Sequence, residues 1–294
     1  MPSLEALFCD VDDFCIALQA SLSHRRLGKA ETRGRRRRMS ASEIMTILIY
    51  FHLSGFRNFK TYYLGYIQGY LKEAFPTAVS YNRFVELMPE ALIPLCLYLQ
   101  QNLGDCTGIS FVDATPLKVC HNRRIKQHRT FVDEAKRGRT SMGWFYGFKL
   151  HLIINDRGEI LAFFVSAGNM DDRKPMPKLV RELWGKLFGD KGYISKKMRE
   201  QLREQGIDLF TPLKKNMKNK LLTLENKLLQ RKRSIIETII DQLKNISQIE
   251  HSRHRSLSNF AVNLISGLIA YSLRPKKPSL NLSTDELAAL PALI

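Results

Sequence analysis

The chain has 294 residues, 44% of them hydrophobic and 25% charged, which fits one large or two smaller globular domains and excludes wholesale disorder. Lys and Arg number 46 against 28 Asp and Glu, a net charge of +18, so the expected partner is a polyanion, most often nucleic acid. The five cysteines form no C-x-x-C pair, and their odd number argues against a disulfide framework or a zinc ribbon.

The N-terminal stretch MPSLEALFCDVDDFC has no basic region ahead of an apolar core and does not read as a signal peptide. With no apolar run long enough to span a bilayer, a cytoplasmic protein with no membrane partner is expected. Residues up to about 105 read as helical. LEALFCDVDDFCIALQASL has helical apolar spacing, and KAETRGRRRRMSAS follows with the run Arg35, Arg36, Arg37 and Arg38. Ser40 or Ser42 caps EIMTILIYFHL, and Glu43 completes a capping box with Ser40. NFKTYYLGYIQGYLKEAF is a further helix ending before Pro76, and Ser80 caps YNRFVELM, which carries Arg83. Short helices with tight turns, bearing Arg and Tyr, point to a helix-turn-helix-like DNA-recognition region over residues 1–105.

From about Thr107 the texture changes. GISFVDAT reads as a strand ending at Asp113. FYGFKLHLIIN and EILAFFVSAG read as a hairpin joined through Asp156-Arg157-Gly158. PMPKLVRELWG reads as a helix, KLFGD as a strand ending at Asp190, SKKMREQLREQG as a helix capped by Ser195, and IDLFTPL as a strand. The expectation is a mixed α/β sheet with flanking helices over residues 106–273. FAVNLISGLIAY reads as a buried helix, and residues 274–294 as a loose tail.

Asp113 and Asp190 each follow an apolar run, so both carboxylates are expected where a buried sheet ends, the usual place for an active site in open α/β sheets. A third acid, Glu237, lies in KRSIIETIIDQLK. At helical spacing Arg233, Glu237, Asp241 and Lys244 share a stripe of roughly 80°, while Ile235, Ile236, Ile239 and Leu243 lie on another arc. The polar stripe suits a cleft, with Arg233 and Lys244 holding phosphates; the competing reading is surface pairing of Arg233 with Glu237 and Asp241 with Lys244. Clustered carboxylates need a counter-charge, and all-oxygen donors favour Mg2+, with Mn2+ also suitable, over zinc.

Arg, three residues, Glu, six residues, Lys, following two aspartates at strand ends, resembles the bacterial insertion-sequence transposases of the DDE class. The resemblance runs from Ile109 to about Tyr271, and FCDVDDFC and HSRHRSLSNFAVNLISGLIAY look like one subgroup of them. It implies an RNase H-like catalytic domain in which Asp113, Asp190 and Glu237 form the catalytic, metal-binding triad. Asn169 and Asp172 in SAGNMDD match an Asn-x-x-Asp pattern, whereas Gln230 stands where the family has tyrosine and Asp171 where histidine is common. The implied activity is metal-dependent cleavage at insertion-sequence ends and strand transfer into target DNA, with a homodimer holding two ends. The partners are double-stranded DNAs, the terminal inverted repeats and the target, in the bacterial nucleoid. No nucleotide cofactor is expected, because no G-x-x-x-x-G-K-[ST] loop is present. The alternatives are a nuclease on the same fold without strand transfer, and an inactive remnant that only binds DNA.

Two basic clusters flank the triad. Lys118–Arg139 carries eight Lys/Arg against two acids, and Lys214–Arg233 carries eight against Glu225. Such excess is what phosphate neutralisation requires. Lys149, Lys191 and Asn169 are added as DNA contacts, and Trp144 and Tyr193 as rings that stack on bases.

Overall fold

The structure, a computed structural model, describes residues 2–25, 38–213, 223–250 and 254–280. Its helices are α1 (Leu4–Arg25), α2 (Ala41–Leu53), α3 (Phe59–Thr61), α4 (Tyr81–Leu87), α5 (Leu92–Gln101), α6 (Met176–Leu179), α7 (Lys196–Glu204), α8 (Leu224–Lys232), α9 (Ser234–Asn245) and α10 (Leu257–Ser272). Its strands are β1 (Ile109–Cys120), β2 (Lys136–Thr140), β3 (Gly143–Asn155), β4 (Ile160–Ala167), β5 (Gly185–Phe188) and β6 (Ile207–Phe210). The chain divides into two compact units, Met1–Asn102 with Leu243–Pro275, and Leu103–Gln242 with Lys276 onward.

The first unit is helical. The expected capping box is present: Ser40 accepts from the Glu43 amide at 3.0 Å, and Glu43 accepts from the Ser40 amide at 2.7 Å. Ser80 caps α4. α3 continues into a π-helical run, Tyr62–Tyr70, whose Tyr62 and Tyr63 hydroxyls donate to the carbonyls of Ile47 and Val79. The segment expected to complete the α/β domain belongs here instead. From Val262 to Tyr271 α10 is buried all round, and it packs on α2 and α5. A helix without a polar face has to be enclosed by other helices, and these supply the enclosure. Gly267 permits it, because a Cβ there would lie 2.4 Å from Ile249 Cγ2.

The second unit is a mixed α/β fold of the RNase H-like kind, with helices flanking a six-stranded sheet. The strand order is β2-β3-β1-β5-β6, and β4 also pairs with β3. β2 covers Gly143–Gly147 of β3 and β4 covers Phe148–Ile154. β1 runs antiparallel to β3, and β5 runs parallel to both β1 and β6, with α7 as the β5–β6 crossover. One face is closed by Val112, Ile153, Leu187, Tyr193, Met198 and Leu209 among others. On β1 and β5 the alternate residues Phe111 and Phe188 stack at 5.6 Å, and Phe188 stacks on Phe210 of β6 at 5.1 Å.

Three sequence expectations change. PMPKLVRELWG forms only the single turn α6, because Leu179 and Val180 are buried at once and the chain must then enter β5 at Gly185. β1 does not stop at Asp113 but continues to Cys120 against β3. The tail is not loose as far as Leu280, whose amide donates to the Asp156 carbonyl at 2.9 Å in the β3–β4 turn. Asn155 shapes that turn by accepting from the Arg157 and Glu159 amides at 3.0 and 2.9 Å.

Candidate active site

The parallel register puts the first two acids side by side. Phe111 pairs with Phe188, the last β1–β5 pair, and Asp113 and Asp190 each lie two residues further on. Both sit at the carboxyl end of the parallel pair, where the pairing with β5 has finished and β1 continues against β3. Each is fixed by its own backbone: Asp113 Oδ1 accepts from the Ala114 amide at 2.8 Å and Asp190 Oδ1 from the Lys191 amide at 2.6 Å.

Glu237 arrives in the first turn of α9, where the helix dipole favours a carboxylate. As expected, α9 buries Ile235, Ile236, Ile239 and Leu243. Arg233 lies at the break between α8 and α9. Its Nη2 donates to Glu237 Oε1 at 2.7 Å and its Nη1 lies 3.7 Å from Asp113 Oδ2. It was expected to grip phosphate; here it bridges two acids. Nη1 is buried and makes no hydrogen bond to the described residues.

Burial pushes the Asp113 carboxyl up to about 6, against the Ala114 hydrogen bond and the Arg233 charge, and repulsion from Asp190 and Glu237 adds to the rise. Asp113 therefore lies within electrostatic reach of both other predicted acids. The donor chemistry, all carboxylate oxygen, is that of a hard dication. Among the described residues, however, no three His, Cys, Asp or Glu side chains are grouped closely enough to hold a metal ion as they stand. The cation between Asp113 and Glu237 is Arg233.

The remaining predicted contacts separate. Tyr193 is not available for base stacking, since it is 2% exposed, packed between α7 and the sheet. Its buried hydroxyl makes no hydrogen bond among the described residues, and burial together with the charges of Asp113, Asp172 and Asp190 raises its pKa well above the ordinary value. Nothing in GDKGYIS distinguishes such a tyrosine from a surface ring. Lys149 is not a free cation: Nζ contacts Asp172 Oδ1 at 2.8 Å and the Met170 carbonyl at 2.9 Å. His151, buried beside them with Nε2 2.8 Å from Ser166 Oγ, has its pKa held down at about 4 by burial. In the β1–β3 ladder Leu152 opposes Asp113, so Lys149 and His151 leave the sheet on the other face. Lys244 pairs with Glu250 at 3.1 Å.

Asn169 and Lys191 are exposed, as is Arg38. Arg83 is exposed and bonded to Glu86 at 2.7 Å. Arg35, Arg36, Arg37 and residues 214–222 lie outside the described residues. Trp144 is 51% exposed on β3, with Arg137 and Arg139 of β2 stacked on its ring at 4.7 and 5.7 Å.

Residues 103–257, just over half of the chain, match the family described as transposase DDE domain. The chain belongs to that family of DDE transposases. No curated protein matches it. No described helix is long and apolar enough to cross a membrane.

Proposed function

We propose that the protein cuts DNA at the ends of an insertion sequence and joins the freed ends to target DNA, with Asp113, Asp190 and Glu237 as its catalytic acids. The observation that supports this reading is that Arg233 bridges Glu237 and Asp113, at the carboxyl end of the β1–β5 pair, where Asp113 also feels the charges of Asp190 and Glu237.

The three acids would hold Mg2+ or Mn2+, which supplies Lewis-acid stabilisation of the attacking and leaving oxygens. In the first step a water oxygen adds to the phosphorus at the element's end. The bond to the 3′ oxygen breaks, and a 3′-hydroxyl is freed. In the second step that hydroxyl attacks a target phosphodiester, and one P–O bond replaces another. Arg233 gives up the carboxylates and turns to a phosphate oxygen, its charge matching either partner. Residues 1–105 contribute DNA recognition, and two copies hold two terminal repeats in synapsis, in the cytoplasm on nucleoid DNA.

The test is a cleavage and joining assay with purified protein, Mg2+ and DNA bearing the terminal repeats of the encoding element, comparing wild type with Asp113→Asn and Glu237→Gln. Joining that is metal-dependent and absent in both variants is the expected result. Cleavage without joining would make it a nuclease, and DNA binding without either activity would make it a remnant.

A further inference from the structure

A second site lies in the helical unit. A cleft of about 970 Å3 opens between α2, the start of α3, α4 and α10. Its lining carries buried polar atoms without a hydrogen-bond partner among the described residues. Asn259 and Asn263, four residues apart on one face of α10, both line it. Asn259 spends its amide nitrogen on the Val85 carbonyl at 3.5 Å, and its buried Oδ1 has no partner among the described residues. Asn263 is 8% exposed, and its Nδ2 is likewise without one. The same holds for Nε2 of His254, which burial keeps neutral with a pKa of about 4.

Buried polar atoms left without a protein partner cost stability, so such atoms lining a cleft are placed to bond what enters it. The walls indicate its shape. Phe51 and Met88 are buried and Phe59 is half-buried, giving flat, apolar sides. The charges stay at the mouth, where Arg57, Lys60 and Arg255 are exposed. The lining carboxylate, Glu250, is engaged by Lys244 at 3.1 Å. A neutral hydrogen-bonding floor, aromatic sides and a cationic mouth match, in that order, the edge, the faces and the flanking phosphates of a nucleotide.

We propose that this cleft takes one unstacked base of a DNA strand, with Asn259 and Asn263 on the base edge and Arg57, Lys60 and Arg255 on the neighbouring phosphates. The proposal rests on the reading of the chain as a DNA-processing enzyme and deepens it. Taking a base out of its stack lets a protein read that base by its edge.

The probes are two fluorescein-labelled single-stranded octanucleotides, one intact and one with an abasic central position. Their charge is equal, so any difference reports the base. The full-length wild type should bind the intact strand about tenfold more tightly, the range expected when one stacked base is removed. Asn263→Leu should bring that ratio below about twofold, with affinity for the abasic strand unchanged. Its melting temperature should not fall, since the change removes a buried Nδ2 that has no partner among the described residues. Asn259→Leu is the second variant. Equal binding of the two strands by the wild type overturns the proposal, as does a tenfold ratio that persists in folded Asn263→Leu. Failure of the parent reading looks different: no Mg2+-dependent cleavage by the wild type, whatever the ratio.

Discussion

Arg233 donates to Glu237 at 2.7 Å one helical turn away while its other terminal nitrogen lies 3.7 Å from Asp113. One cation thus neutralises two acids on different elements. Removing it leaves Asp113, only 24% exposed at its side chain, beside two other carboxylates. Arg233→Ala should therefore cost about 1 kcal/mol in metal-free protein, a small figure because Glu237 is 57% exposed and screened by solvent. The same vacancy favours an added dication. Mg2+ should raise the melting temperature of Arg233→Ala by several degrees more than that of wild type. Equal shifts in the two proteins would show that Arg233 and the metal do not compete.

Asp113 itself should be a burden on the fold. Its carboxyl titrates at about 6, above the ordinary 3.8, so the folded state binds the proton more tightly than the unfolded chain. The penalty is absent below pH 3.8, grows as pH rises between 3.8 and 6, and is complete above 6. Asp113→Asn, which abolishes the charge, should gain about 1–2 kcal/mol at pH 7.5, with the gain shrinking to zero by about pH 4. Chemical denaturation across that range measures it. A variant less stable than wild type at pH 7.5 would mean that the Arg233 contact outweighs burial.

Asp113 and Asp190 could be placed at strand ends because each follows an apolar run, whereas the helix stripe alone left Glu237 open to a surface-pairing reading and only the family resemblance joined it to them. Their surroundings were less legible. The strand was expected to end at Asp113, yet β1 continues to Cys120 because β3 pairs with it there, and past Phe111 no described strand takes the other side, so Pro116 is tolerated. Tyr193 and Trp144 read alike as aromatic residues near the site. Burial, set by α7 and the far side of the sheet, makes one core and leaves the other exposed. Arg233 could be read as pairing with Glu237 from helical spacing, but its second partner, Asp113, is more than a hundred residues away and comes from the tertiary fold. The capping box of α2 and the β3–β4 turn depend on local spacing and came through intact.

Gly158 is held by the tertiary fold as well as by its turn. Its φ of +74° disfavours any side chain, and a Cβ would lie 1.9 Å from the Pro278 carbonyl oxygen. Gly158→Ala should destabilise the α/β unit by about 2 kcal/mol or more, combining backbone strain with displacement of the 276–280 strap. Hydrogen exchange should show faster exchange at the Leu280 amide, which donates to Asp156. Unchanged protection there would mean that the strap tolerates the methyl group.

Trp144, Arg137 and Arg139 make a separate prediction about DNA affinity. Residues 137 and 139 alternate to one face of β2 and hold their guanidiniums on the half-exposed indole at 4.7 and 5.7 Å. A ring with two cations already stacked on it places both charges at little entropic cost. If the pair meets phosphate, the double change Arg137→Ala, Arg139→Ala should lower the slope of log K against log salt by about 1.8, close to 0.9 for each phosphate no longer neutralised. Trp144→Ala should leave the melting temperature nearly unchanged, because half of the ring is already in water. It should weaken binding several-fold by freeing the two arginines, with a smaller change in salt slope. Anisotropy titrations of a duplex between about 50 and 200 mM salt would separate the two effects. An unaltered slope in the double variant would remove this strand pair from the DNA path, even though its charge and exposure favour it.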